Sequence, residues 1–175
     1  PGAAHSLRLT TNHQGFRFPR DFSREKSRRF RVALVGDSQV FGLGVDDDEH
    51  LGAVLDREIA DVETYPFGVP GYGPTQEMLL LEGTILDYRP DVVVAVLFLE
   101  NDLNDETEDL GYGFVPKPFQ RGIDGRWEVA NLPVPLPLSP APPGAHAFLV
   151  ASDAAFSASA LYRLSFFRAA ALRWI

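Results

Sequence analysis

Cysteine is absent from all 175 residues, which excludes a disulfide framework and a thiolate metal site and is compatible with either redox compartment. No apolar run approaches the ~20 residues that a membrane span needs; the longest is Val92 to Leu99. The first residue is Pro1 rather than Met, so a preceding signal peptide or anchor stays open. Localisation is therefore undetermined, with an extracytoplasmic or periplasmic site favoured over the cytoplasm. Nucleotide signatures are missing as well. Gly42 and Gly44 lack the third glycine of a dinucleotide fingerprint, and no phosphate-loop Lys-Ser or Lys-Thr follows a glycine run.

What is present fits one globular domain: 45% apolar and 11% aromatic residues bury a core of ordinary size. The net charge of −8 hides an asymmetry. Residues 1–31 carry eight Lys or Arg against two acids, a balance of +6, and the rest carry eight against 22, a balance of −14. A basic arm containing Arg20, Arg24, Lys26, Arg28, Arg29 and Arg31 could meet nucleic acid or anionic lipid. The acidic body argues against nucleic acid as a partner, and the expected arrangement is a solvated leader that pairs with its own acidic domain.

Residues 1–30 read as an irregular leader lying across the surface, with Asn12-His13-Gln14-Gly15 as a turn and Phe16 as one anchoring aromatic. Phe30 to Val35 reads as a first strand. Asp46 or Asp47 then caps a helix to about Ala60 whose buried face is Leu51, Val54, Leu55 and Ile59. Val62 to Phe67 is a short second strand, and Pro74 opens a helix to about Tyr88 that Gly83 weakens. Asp91 to Leu99 is continuously apolar, as in a central parallel strand covered on both faces. Strand, helix, strand, helix, strand is the pattern of a doubly wound α/β sheet.

Beyond Asp109 the pattern changes to an excursion over residues 113–150. Pro118 to Val129 reads as a hairpin turning at Asp124-Gly125, and Asn131 to Gly144 holds six prolines. From about Ser152 to Ile175 a helix places Phe156, Ala160, Leu164, Phe167, Ala171 and Trp174 on one face. Its only charges after Asp153 are arginines. Residues 151–175 could therefore contact a protein or a membrane surface, or pack on their own domain.

Chemistry is concentrated where the three strands end. Ser38 follows the first strand in Gly36-Asp37-Ser38, Gly71 follows the second, and Asn101 follows the third. Acyl transfer from an ester needs a nucleophilic hydroxyl and donors for the oxyanion. Ser38 offers the hydroxyl, while backbone N–H groups at Ser38 and Gly71 and the Asn101 amide could form the oxyanion hole. Asp102, Asp105, Glu106, Glu108 and Asp109 offer oxygens that a hard cation prefers. Their spacing lacks a calcium loop, and a solvated acidic loop is the expected reading.

In these residues the chain resembles the SGNH hydrolases, or GDSL-type esterases. Gly36-Asp37-Ser38 with Gly42 resembles the first block, Gly68-Val69-Pro70-Gly71 the second and Asn101-Asp102 the third, over residues 31–105. Asn12-His13-Gln14-Gly15-Phe16-Arg17 resembles a segment that precedes the first block in bacterial members linked to surface polysaccharides. The resemblance implies a flavodoxin-like α/β/α fold with a parallel sheet, incomplete in this chain, of which residues 31–112 form the first half. It also implies ester hydrolysis or O-acetyl transfer without a cofactor, on a small ester or acylated carbohydrate.

The family's general base belongs to an Asp-x-x-His block close to the C terminus, and no such block occurs in the late part of this chain. His5 and His13 lie in the leader, His50 opens the first helix beside an acidic run where a solvated or capping role is expected, and His146 is the late candidate. Two readings follow. The domain is cut short and its base and orienting acid lie beyond Ile175, or it is a non-catalytic relative kept as a structural or interaction subunit.

Overall fold

The computed structural model describes residues 7–99, 102, 109–111 and 115–135. Strands β1 (Phe30–Gly36), β2 (Val62–Gly68) and β3 (Val92–Val96) form a parallel sheet in the order β2-β1-β3. Register runs from Phe30 opposite Val62 to Gly36 opposite Gly68, and from Val32 opposite Val92 to Gly36 opposite Val96. Helices α1 (Ser38–Phe41), α2 (Leu51–Glu58) and α3 (Pro74–Gly83) connect the strands. The α/β class read from strand and helix alternation is the one observed.

Alternation along the strands divides the core. Ala33 and Val35 share a cluster with Tyr65, Phe67, Ile85 and Tyr88, against which Leu80 and Leu81 of α3 pack. On the other face lies Pro66, so near α2 that a Cβ at Gly52 would stand 2.8 Å from its Cγ. Pro66 costs the ladder nothing. The Thr64 N–H, two residues earlier and on the same side, points away from β1 and donates to Asp56 Oδ1 at 2.6 Å, so position 66 needs no donor toward β1.

The leader enters the core, correcting the expectation of a solvated arm with one aromatic anchor. Phe16, Phe18 and Phe22 are all buried. Phe22 stacks on Tyr65 with centroids 4.5 Å apart, and Phe16 meets Phe67 edge-on at 4.7 Å. Each such pair contributes roughly 0.5–1.5 kcal/mol beyond its burial. The backbone holds its turn locally: Asn12 and Phe16 exchange bonds through Asn12 N–H to Phe16 O and Phe16 N–H to Asn12 Oδ1. Its cations do face the acidic body, in the pairs Arg17–Asp47, Arg20–Asp56, Arg24–Asp87, Lys26–Asp91 and Arg31–Glu63.

Burial of the strands reverses the expected order. β2, expected to be short, is seven residues long and buried end to end, whereas Val92 and Val94 of the five-residue β3 are exposed. Arg20 Nη2 donates to Thr64 O on the outer edge of β2, so the leader covers that edge. Among the described residues no strand pairs with the far side of β3, which is the edge of the described sheet.

Helix limits also differ. His50, not Asp46 or Asp47, caps α2, because those carboxylates accept from the leader: Asp46 from Arg8 N–H, and Asp47 from Thr10 N–H and Arg17 Nε. α2 ends at Glu58, leaving Leu51 and Ile59 exposed and Val54 and Leu55 half-buried. α3 stops at Gly83 and gives way to a 3₁₀ turn at Ile85–Tyr88.

Further on, β4 (Leu110–Gly111) pairs with β5 (Val115–Pro116), a ladder that the sequence reading lacks, and β6 (Phe119–Ile123) pairs with β7 (Arg126–Ala130). Asp124 and Gly125 turn that hairpin at φ 48° and 77°, both positive as a type I′ turn requires. Most of the proline stretch and all of residues 151–175 lie outside the described residues. Among the described residues no helix is long and apolar enough to cross a membrane.

Candidate active site

The winding of the sheet reverses at β1, since β2 lies on one side and β3 on the other. In parallel sheets such a reversal opens a crevice beyond the carboxyl ends of the strands. Ser38 stands at that end as the first residue of α1 and is half-buried. Asp37 caps the helix through Oδ1, which accepts the Gln39 N–H at 2.9 Å. Among the described residues the only hydrogen-bond partner of Ser38 Oγ is Asp37 Oδ2, at a long 3.4 Å.

Two glycines let α1 lie flat over the strand ends. A Cβ at Gly36 would stand 2.5 Å from Val40 Cγ2 and 2.9 Å from Val96 O. One at Gly68 would stand 2.1 Å from the Phe41 nitrogen. The Gly68 loop is tied to β1 by Val69 N–H donating to Gly36 O at 3.0 Å, and closes with Tyr72 N–H donating to Val69 O at 3.1 Å. Pro70 and Gly71, the latter at φ 79°, fill the central positions of this turn as a type II turn demands. Gly71 is thus fixed by backbone conformation, a reason separate from substrate access.

Asn101 lies outside the described residues, as do His5, Asp105, Glu106, Glu108 and His146. Beside it, Asp102 is buried, accepts the Phe98 N–H on Oδ2 at 2.6 Å and donates its own N–H to Phe98 O at 3.0 Å. Of the three expected site residues, the structure describes Ser38 and Gly71 and brings their loops to one end of the sheet. Among the described residues no group of three or more His, Asp or Glu could hold a metal ion.

The described histidines are engaged elsewhere. His13 is exposed and pairs with Asp21 at 2.9 Å, a contact that lowers the Asp21 pKa, chiefly through the bond from the His13 backbone N–H. His50 is buried, not solvated. It stands three residues after Asp47, the spacing of an Asp-x-x-His block, yet the two form no ion pair of the orienting kind. His50 Nδ1 accepts the Ala53 N–H at 3.4 Å, its ring lies edge-on to Phe18, and Nε2 is buried without a hydrogen bond among the described residues. Burial, then the charge of Arg17, lowers its pKa. A histidine so enclosed is a cap and core residue.

Arg17 is the residue that sequence reasoning missed. Its buried guanidinium donates to Phe41 O at 3.2 Å, to Gly42 O, and to Val45 O at 2.6 Å. The signal available was its place in the Asn12–Arg17 segment. No family model matches this chain, and no curated protein matches it.

Proposed function

We propose that the chain belongs to a serine ester hydrolase, or O-acetyl esterase or transferase, of the SGNH type, with a flavodoxin-like α/β/α sheet. The observation that carries the reading is the placement of Ser38: it begins a one-turn helix at the carboxyl end of β1, beside a glycine turn tied to the same strand end. Ser38 Oγ would add to the ester carbonyl, and as the bond to the leaving alkoxide breaks the proton given up by the serine hydroxyl would end on that alkoxide, leaving an acyl-serine and an alcohol. Water or an acceptor hydroxyl would then take the acyl group. Gly71 N–H and the Asn101 amide would hold the oxyanion, each such donor being typically worth roughly 3 kcal/mol in the transition state. No cofactor is required for these steps, and the substrate class is a small ester or acylated carbohydrate.

A second reading, a non-catalytic structural or interaction subunit, is favoured by one fact. Among the described residues neither His13 nor His50 is a hydrogen-bond partner of Ser38 Oγ, whose one described partner is an acceptor. Labelling of the full-length protein by a fluorophosphonate decides between them. The esterase reading expects covalent modification of the wild type and none of Ser38→Ala; equal labelling of the two, or none of either, sinks it.

A further inference from the structure

A helix of one turn does not hold itself, because nucleation costs more than one hydrogen bond returns. The last carbonyls of a helix take their donors from beyond it. Arg17 supplies them from outside. Its side chain is 2% exposed, and each nitrogen donates: Nε to Asp47 Oδ1 at 3.2 Å, Nη1 to Phe41 O and Gly42 O, and Nη2 to Arg8 O at 3.0 Å and Val45 O at 2.6 Å. The same segment reaches Ser38. Gly42 N–H and Leu43 N–H both donate to Ser38 O at 3.0 Å, and Phe41 N–H donates to Asp37 O at 3.1 Å.

We propose that Arg17 is a positioning residue for Ser38: the leader's buried guanidinium fixes the carboxyl end of α1 and, through the Gly42 and Leu43 amides, the backbone that carries the serine. This rests on the reading of Ser38 as a nucleophile. A cation is also the favoured charge at a helix C terminus. Lysine keeps the charge but offers three donors where the guanidinium offers five, so it cannot serve the same acceptors.

The molecule contains its own control. Arg31 is equally buried at the opposite end of β1, with donors to Glu63 Oε1, Ser23 O, Tyr88 O and Glu25 O. In full-length protein, Arg17→Lys and Arg31→Lys are compared well below their melting midpoints. The readouts are the fluorophosphonate labelling rate of Ser38 and amide hydrogen exchange at Phe41, Gly42 and Leu43. Arg17→Lys is expected to label about tenfold to a hundredfold more slowly, the scale of an ångström-sized misplacement, with faster exchange at those three amides. Arg31→Lys is expected to keep both rates.

Labelling of Arg17→Lys at the wild-type rate, or equal slowing in both variants, overturns the proposal. If the wild type itself is not labelled, the nucleophile reading falls and exchange decides alone: selective loosening at residues 41–43 in Arg17→Lys sustains the clamp, and its absence overturns it. Should Arg17→Lys not fold, Asp47→Asn weakens the same clamp and is judged by the same two measurements.

Discussion

Gly68 and Phe41 approach so closely that a side chain on the glycine has nowhere to go: a Cβ would stand 2.1 Å from the Phe41 nitrogen and 2.6 Å from the Val40 carbonyl carbon. Both obstacles are backbone. A glycine at the end of one strand therefore sets the height at which α1, on the neighbouring connection, crosses the sheet.

Gly68→Ala should consequently cost roughly 1–3 kcal/mol or more, the range for forcing atoms into a filled site. Gly83 is the contrast, with open space where its Cβ would be and no positive φ; alanine there should stabilise by about 0.4–1 kcal/mol. Urea midpoints of the two variants test this. A neutral Gly68→Ala would mean that α1 does not rest on β2.

Arg31 and Glu63 form a pair whose side chains are 1% and 10% exposed. Removing one partner from a buried pair strands the other's charge, so Glu63→Ala should cost about 3–5 kcal/mol. Glu128→Ala, which breaks the exposed pair with Arg121, should cost at most about 1 kcal/mol. Equal losses in chemical denaturation would contradict the difference in burial.

His50 gives stability a pH dependence of known sign. Its folded pKa lies below the ordinary 6.5 because burial, and then Arg17, oppose its charge. Below pH 6.5 the unfolded chain takes up a proton that the folded one refuses. Stability is therefore full above 6.5 and is lost as pH falls from there toward the lower folded value. His50→Asn keeps a capping acceptor and should flatten the urea midpoint across that window; profiles parallel to the wild type would refute the assignment.

What the sequence revealed was local. Strands rich in Val with helices between them, Pro74 opening a helix and Asp124-Gly125 turning a hairpin all act through a residue and its near neighbours. Placement of Ser38 and Gly71 after their strands was legible for the same reason. The leader was not. Phe16 and Phe18 stand two apart, as on a strand, and Phe18 and Phe22 four apart, as on a helix, so the three define no single element, and their partners Tyr65 and Phe67 are far along the chain. Asp46 and Asp47 look like caps until Arg8, Thr10 and Arg17 claim their carboxylates. Arg17 was hidden likewise, since its acceptors are backbone carbonyls that any sequence possesses. The continuous apolar run of β3 signals cover but does not say what provides it.

The ion pairs of the leader bear on the order of events during synthesis. Lys26 and Asp91 are 65 residues apart, Arg31 and Glu63 are 32, and Arg17 and Asp47 are 30. The leader is the first of these segments to leave the ribosome, yet Asp47, Glu63 and Asp91 must each be made before it can close onto them. The segment translated earliest is thus completed last. Until Asp91 has emerged, the leader that covers the edge of β2 is held by only part of its final contacts.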